Sequence, residues 1–132
     1  MAEQTIVIAD DDPTYLEMIK DLLTGEGYRS VQCVVGTGTL DAIRELQPAL
    51  ILLDVNLEQT GVGWRLLDTL RLHPATARIP IIIGSTDPWI LREKDRLLRA
   101  LHCDTIEKPF ELEMLLAKIS AAVGPPLKAV TA

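Results

Sequence analysis

Positive charge is in short supply: 13 Lys and Arg stand against 19 Asp and Glu, a net charge of −6 at pH 7 and a pI near 4.8. An acidic chain is repelled by phosphate backbones and anionic bilayers, so direct binding to nucleic acid and to a membrane surface is disfavoured. Cysteine is nearly absent. Cys33 and Cys103 have no CxxC spacing and no accompanying His ligand pattern, which argues for two small thiols in a reducing compartment rather than a disulfide framework or a metal knuckle. No long apolar run occurs. Stretches such as Ala49 to Leu53 fall far short of the roughly 20 residues that span a bilayer. Met1 to Gln4 is polar and runs at once into a strand-like stretch, unlike a signal peptide. Internal repeats and low-complexity segments are also missing. A cytoplasmic location without membrane insertion is expected.

What is present is ordinary globular material: 132 residues, 48% apolar and 24% charged, enough for one domain with a real core and too few for a separate output domain. Thr5 to Ala9 is short, β-branched and apolar on both faces, the pattern of a strand buried on both sides. Asp12 then reads as a helix N-cap with Pro13 at the first helical position, and Leu16, Ile19, Leu22 and Leu23 recur at helical spacing up to Gly25. Ser30 to Val35 predicts a second strand, and Leu40, Ile43 and Leu46 mark a short helix before Pro48. Leu50 to Val55 is a third strand, nearly all apolar except Asp54. Trp64, Leu67 and Leu70 mark a helix ending near His73 and Pro74. Pro80 to Ser85 is a fourth strand, Ile90 to Leu101 an amphipathic helix, Thr105 to Glu107 a brief fifth strand, and Leu112 to Val123 a last amphipathic helix stopped by Gly124. Five strands alternating with five helices imply right-handed parallel βαβ units, hence a doubly wound α/β sheet covered on both faces. Residues 1–124 form the domain, and 125–132 read as a tail or linker.

In an open parallel sheet, ligands sit beyond the carboxyl ends of the strands. Asp10 and Asp11 end the first strand, Asp54 the third and Ser85 the fourth, and Lys108 follows the fifth. Four strands thus deliver polar groups to one rim. Three carboxylates brought together repel one another, and a divalent cation resolves the conflict. Oxygen donors without His or Cys select a hard ion such as Mg²⁺. Lys108 adds a positive charge that binds an anion or pairs with Asp54, and Ser85 adds a hydroxyl. Together they are the equipment for phosphoryl transfer to Asp54. Taken singly each feature has a plain reading: Asp10 to Asp12 cap a helix, Ser85 ends a strand, Lys108-Pro109 is a loop. Asp54 is the exception, because a carboxylate adjoining Leu50 to Leu53 and Val55 is costly unless partnered.

The stretches IVIADDDP, LILLDVNL, PIIIGS and EKPF, in this order and spacing, make the chain from Thr5 to Val123 resemble the receiver domain of two-component response regulators, with its flavodoxin-like fold. The resemblance implies that Asp54 is the phosphoacceptor, that Asp10, Asp11 and Asp54 with the backbone carbonyl of Asn56 hold Mg²⁺, that Ser85 is the switch hydroxyl and that Lys108 contacts the phosphoryl group. It implies a cis Lys108–Pro109 bond, and water-positioning roles for the side chains of Asn56 and Asp87. It also implies a histidine kinase or phosphotransfer protein as donor and an output partner that the sequence does not name; a homodimer is left open. Such a domain is a phosphoacceptor that assists its own phosphorylation and dephosphorylation, not an enzyme acting on a separate substrate.

The chain departs from the family pattern in the loop VNLEQTGVG after Asp54, which lacks the usual proline and the acid before glycine. It departs again at Gly84 before the switch, at Thr86 after it, and at Thr105, where an aromatic residue is common. Counting five residues from Pro80 assigns the switch to Ser85, with Thr86 the weaker candidate. The competing reading is a pseudo-receiver that keeps the fold as an interaction module and never carries phosphate. A metal-dependent phosphatase would prefer a second acid where Asn56 stands, and a flavin-binding domain would want hydroxyl and glycine loops where this chain has carboxylates.

Overall fold

A computed structural model describes residues 5–10, 12–34, 38–55 and 62–124, so that Asp11, Asn56 and the expected tail 125–132 lie outside the described residues. Five strands, β1 (Thr5–Asp10), β2 (Arg29–Val34), β3 (Leu50–Asp54), β4 (Ile81–Ser85) and β5 (Cys103–Glu107), form one sheet in the order β2-β1-β3-β4-β5. Every pairing is parallel. The helices are α1 (Pro13–Gly25), α2 (Thr39–Leu46), α3 (Val62–Leu72), α4 (Pro88–Glu93), α5 (Asp95–Ala100) and α6 (Leu112–Val123).

The period-2 alternation of the strands divides the core between the two faces of the sheet. Ile6, Ile8, Leu50 and Ile82 pack with Leu16 and Ile19 of α1 and with Leu115 and Ile119 of α6. Val7, Ile51, Leu53 and Ile83 pack with Ile43 of α2, Leu67 and Leu70 of α3, and Leu91 and Leu98 of α4 and α5. The sheet is doubly wound, as its βαβ alternation predicts.

Helix α1 begins as the sequence predicts. Asp12 Oδ1 accepts from the Thr14 amide at 3.0 Å, with Pro13 in the first turn, so one orphan donor of the helix start is satisfied. Between β4 and β5 the single predicted helix is two short ones joined at Lys94, whose φ of −96° and ψ of 9° leave the helical region. From Arg92 to Leu97 no residue is buried, so packing does not hold that turn to regular α geometry. Strand β5 starts two residues earlier than the sequence predicts, at Cys103. It lies on the edge of the sheet, where exposed Asp104 breaks the apolar run that marks an inner strand.

The segments that enter β4 and β5 are fastened by Arg71. Its Nε donates to the Leu101 carbonyl at 2.8 Å, and its Nη1 donates to those of Ile79 at 2.8 Å and Ala77 at 3.1 Å. Tyr28 Oη donates to the Gly124 carbonyl at 3.1 Å and ties the end of α6 to the turn before β2. Cys33 and Cys103 are free thiols on the two edge strands. Burial pushes both thiols above the ordinary cysteine pKa, with Arg71 partly opposing the rise at Cys103. Among the described residues no helix is long and apolar enough to cross a membrane.

Candidate functional site

Parallel register brings the carboxyl ends of β1, β3 and β4 side by side: Ala9 pairs with Leu53, and Asp54 with Gly84. Asp10 is therefore the last residue of β1 and Asp54 the last of β3, on neighbouring strands. Lys108, just past β5, crosses to meet them. Its Nζ lies 3.2 Å from Asp10 Oδ2 and is ion-paired and hydrogen-bonded with Asp54 Oδ1. The side chains are 13%, 3% and 13% exposed for Lys108, Asp10 and Asp54. Burying two carboxylates at this depth is tolerable only because they share a cation and further hydrogen bonds. One of those bonds is Asp10 Oδ1 accepting from the Asp12 amide at 3.1 Å.

Burial pulls the Lys108 ammonium toward neutrality. The hydrogen bond to Asp54 and the electrostatic influence of Tyr15, Asp54 and Asp10 outweigh it, so its pKa stands above the ordinary lysine value. Lys108 is a fixed positive charge at neutral pH. Its main-chain N–H donates to the Ser85 carbonyl at 2.9 Å, and the Lys108–Pro109 bond is cis.

Ser85 is buried at the end of β4 and its Oγ accepts from the Asp87 amide at 3.0 Å, whereas Thr86 is exposed. Asp87 caps α4, accepting from the Trp89 amide at 3.0 Å. That capping role was not read from the sequence, although Asp87-Pro88 repeats the Asp12-Pro13 signature that opens α1. Thr105 is half-buried on β5, paired with Ile83. Asp11 and Asn56 lie outside the described residues.

Two further residues shape the site without having been singled out. The Tyr15 ring centroid lies 3.8 Å from Lys108 Nζ, and burial, the leading influence, holds the Tyr15 phenol above its ordinary pKa. Its signal in the sequence is faint: an aromatic in the first turn of a helix, just ahead of the Leu16, Ile19 and Leu23 core stripe. Gly63 packs α3 against the end of β3. A Cβ there would stand 3.1 Å from the Asp54 carbonyl oxygen and 3.1 Å from Val55 Cγ1. A cavity of about 20 Å³, lined in part by Tyr15, Asp54, Gly84, Lys108 and Phe110, lies under the rim, with room for a single water.

The donor set suits a small hard cation. Asp10 and Asp54 offer carboxylate oxygens on adjacent strand ends, already neutralised in part by one shared ammonium, and neither His nor Cys lies among these contacts. Among the described residues no group of three or more His, Cys, Asp or Glu is assembled for a metal; the third expected carboxylate, Asp11, is not among them.

Comparison with known proteins agrees with this geometry. The family model described as the response regulator receiver domain matches residues 6–120. The DNA-binding response regulator MtrA of Mycolicibacterium smegmatis is 32% identical over 123 residues, covering 89% of this chain and 50% of MtrA. The chain therefore spans about half the length of such relatives. A putative response regulator from Chloroflexus aurantiacus superposes with a TM-score of 0.77 at 29% identity, covering 92% of this chain and 98% of that one. The receiver domain of the Pseudomonas aeruginosa sensor histidine kinase PA1611, solved with a magnesium ion in its active site cleft, gives a TM-score of 0.77 at 25% identity, with 93% and 99% covered.

Proposed function

The chain belongs to the response regulator receiver domain family, and on that premise we propose that it accepts a phosphoryl group on Asp54 and changes its affinity for a partner as a result. The observation that carries the reading is the placement of Lys108: one partly buried ammonium reaches the carboxylates of both Asp54 and Asp10 at the carboxyl rim of the sheet. A cation in that position stabilises the charge on an incoming phosphoryl group without reorganising at the moment of transfer.

An Asp54 oxygen attacks the donor phosphorus in line, the bond from phosphorus to the donor nitrogen or oxygen breaks, and its electron pair leaves with the donor. Lys108 then turns from the carboxylate to a phosphoryl oxygen. Ser85, whose hydroxyl is buried at the end of β4, serves as the switch that follows the phosphoryl group; exposed Thr86 is the weaker candidate. Magnesium would be held by Asp11 and Asp54 directly, by Asp10 through water and by the Asn56 carbonyl. Once bound, it would neutralise the negative charge gathering on the carboxylates and phosphoryl oxygens.

The donor on this reading is a histidine kinase or a phosphotransfer protein, and the setting is the cytoplasm. The domain is a phosphoacceptor rather than an enzyme with a separate substrate. Its output passes to a partner or to another chain segment, because the acidic surface does not favour nucleic acid. Residues 1–124 make up the receiver unit and 125–132 a tail or linker.

Mass spectrometry after incubation with acetyl phosphate and Mg²⁺ tests this reading. A single phosphoryl adduct is expected on Asp54, and none on Asp54→Asn. An adduct elsewhere, or equal labelling of Asp54→Asn, overturns the assignment of the nucleophile. A parent that takes up no phosphoryl group is the pseudo-receiver.

A further inference from the structure

Lys108 has an aromatic neighbour besides the two carboxylates. The Tyr15 ring centroid stands 3.8 Å from Lys108 Nζ, well inside the roughly 6 Å over which a ring face attracts a cation. Helical side chains lean toward the amino end of their helix, so a residue in the first turn of α1 reaches back over the rim that β1 has just left. The stem of Lys108 is supported on another side by Gly84, where a Cβ would come within 3.4 Å of Lys108 Cε. The ammonium thus rests between Asp10, Asp54 and an aromatic face, at a site where it is 13% exposed and cannot regain a full hydration shell.

We propose that Tyr15 is a positioning residue for phosphoryl transfer at Asp54: its ring face keeps the Lys108 ammonium within reach of the Asp54 carboxylate. The inference rests on the phosphoacceptor reading above. It assigns to α1 a part in the chemistry beyond placing the residues before its cap. The ring face is nonspecific in direction, unlike a third carboxylate, so the ammonium slides across it from the Asp54 oxygen to a phosphoryl oxygen while remaining held. Phenylalanine offers the same face, and leucine fills much of the volume without it.

The test compares the parent, Tyr15→Phe and Tyr15→Leu for phosphoryl uptake from acetyl phosphate at saturating Mg²⁺, together with the proton shifts of the Lys108 ε-methylene. Tyr15→Leu is expected to take up the group roughly three- to tenfold more slowly, the loss of one partly desolvated cation–π contact, and Tyr15→Phe to stay within about twofold. The ε-methylene protons are expected to show a ring-current upfield shift in the parent and in Tyr15→Phe that disappears in Tyr15→Leu. The shift reports whether the ring lies over Lys108. The rate of folded Tyr15→Leu against Tyr15→Phe reports whether that contact positions the ammonium, a difference that a merely structural Tyr15 would not produce in folded variants. If the parent labels on Asp54 and folded Tyr15→Leu labels equally fast, the positioning role falls and the phosphoacceptor reading stands. If the parent takes up no label on Asp54, both fall together. Should Tyr15→Leu not fold, Tyr15→Phe decides alone: an unshifted Lys108 signal in that variant or in the parent overturns the proposal.

Discussion

The Lys108 amide donates to the Ser85 carbonyl at 2.9 Å, and the side chain of the same lysine turns back to Asp54 and Asp10. One residue therefore joins the ends of β1, β3 and β4. Its backbone fixes where it starts, and its ammonium fixes where it ends.

Removing that ammonium leaves buried Asp10 and partly buried Asp54 without the cation they share. Lys108→Ala is expected to destabilise the metal-free protein by about 3 kcal/mol, the lower end for breaking a buried pair. On the proposed reading Mg²⁺ would be held in part by Asp54, so adding it should recover part of the loss by supplying positive charge at the same rim. Urea unfolding in EDTA and in Mg²⁺ measures both. A variant as stable as the parent in EDTA would mean that the pair contributes nothing net.

Gly63 and Gly84 flank Asp54 but differ in the room they leave. A Cβ at Gly63 meets the Asp54 carbonyl oxygen at 3.1 Å, Val55 Cγ1 at 3.1 Å and Val55 Cα at 3.3 Å, two of them backbone atoms that cannot swing aside as a flexible side-chain end would. Gly63→Ala should cost about 1–3 kcal/mol as an overpacking change and should slow labelling, since strain is relieved by moving Asp54. At Gly84 the nearest atom is the flexible Lys108 Cε at 3.4 Å. Gly84→Ala should be neutral or stabilising by up to about 1 kcal/mol through the unfolded chain. Thermal melts of the two variants check the contrast, and equal losses would count against it.

Alkaline pH should loosen the fold through Tyr28. Burial, with Glu26 adding to it, holds its phenol above the ordinary value, and Tyr28 Oη donates to the Gly124 carbonyl. The folded state favours the protonated form, so the stabilisation is complete below the unfolded pKa near 10 and fades as pH rises through the higher folded value. Tyr28→Phe should lose about 0.5–1.5 kcal/mol at pH 7 with the hydrogen bond. Its stability should then fall less steeply than the parent's above pH 10, in urea titrations run from pH 8 to pH 11.

Activation should be read around Ser85 rather than at Thr105. If the Ser85 hydroxyl turns toward a phosphoryl group, it gives up the Asp87 amide that it now accepts from at 3.0 Å, and no aromatic ring on β5 stands ready to fill the space. Gly84, with the widest backbone freedom, and the residues up to Ile90 should take up the change. Hydrogen exchange with and without beryllofluoride and Mg²⁺ is expected to change at Asp87 and its neighbours, with Thr105 quiet. A response centred on Thr105 alone would refute this.

Much of this was legible in the sequence because it depends on chain-local signals. Apolar runs that give way to polar residues mark Asp10, Asp54 and Ser85 as strand ends, and Asp12-Pro13 marks the start of α1. The break at Lys94 was not legible: the spacing of Leu91 and Leu98 fits one continuous helix, and only the absence of buried residues between them separates the pieces. The early start of β5 was hidden by the exposed residues of an edge strand. Tyr15 was hidden for a different reason. An aromatic on an amphipathic helix reads as core, and its contact with Lys108 joins residues 15 and 108, which no local pattern connects. Arg71 likewise gives no sign in the sequence that its acceptors are the carbonyls of Ala77, Ile79 and Leu101.

That arginine has a mechanical consequence. By gripping the segments that enter β4 and β5, it makes each strand a beam clamped at its amino end. The far ends, Ser85 and Glu107 with Lys108 just beyond, are held instead by strand pairing and by the contacts of Lys108. Any displacement at the rim is then set against a footing that these three hydrogen bonds hold in place.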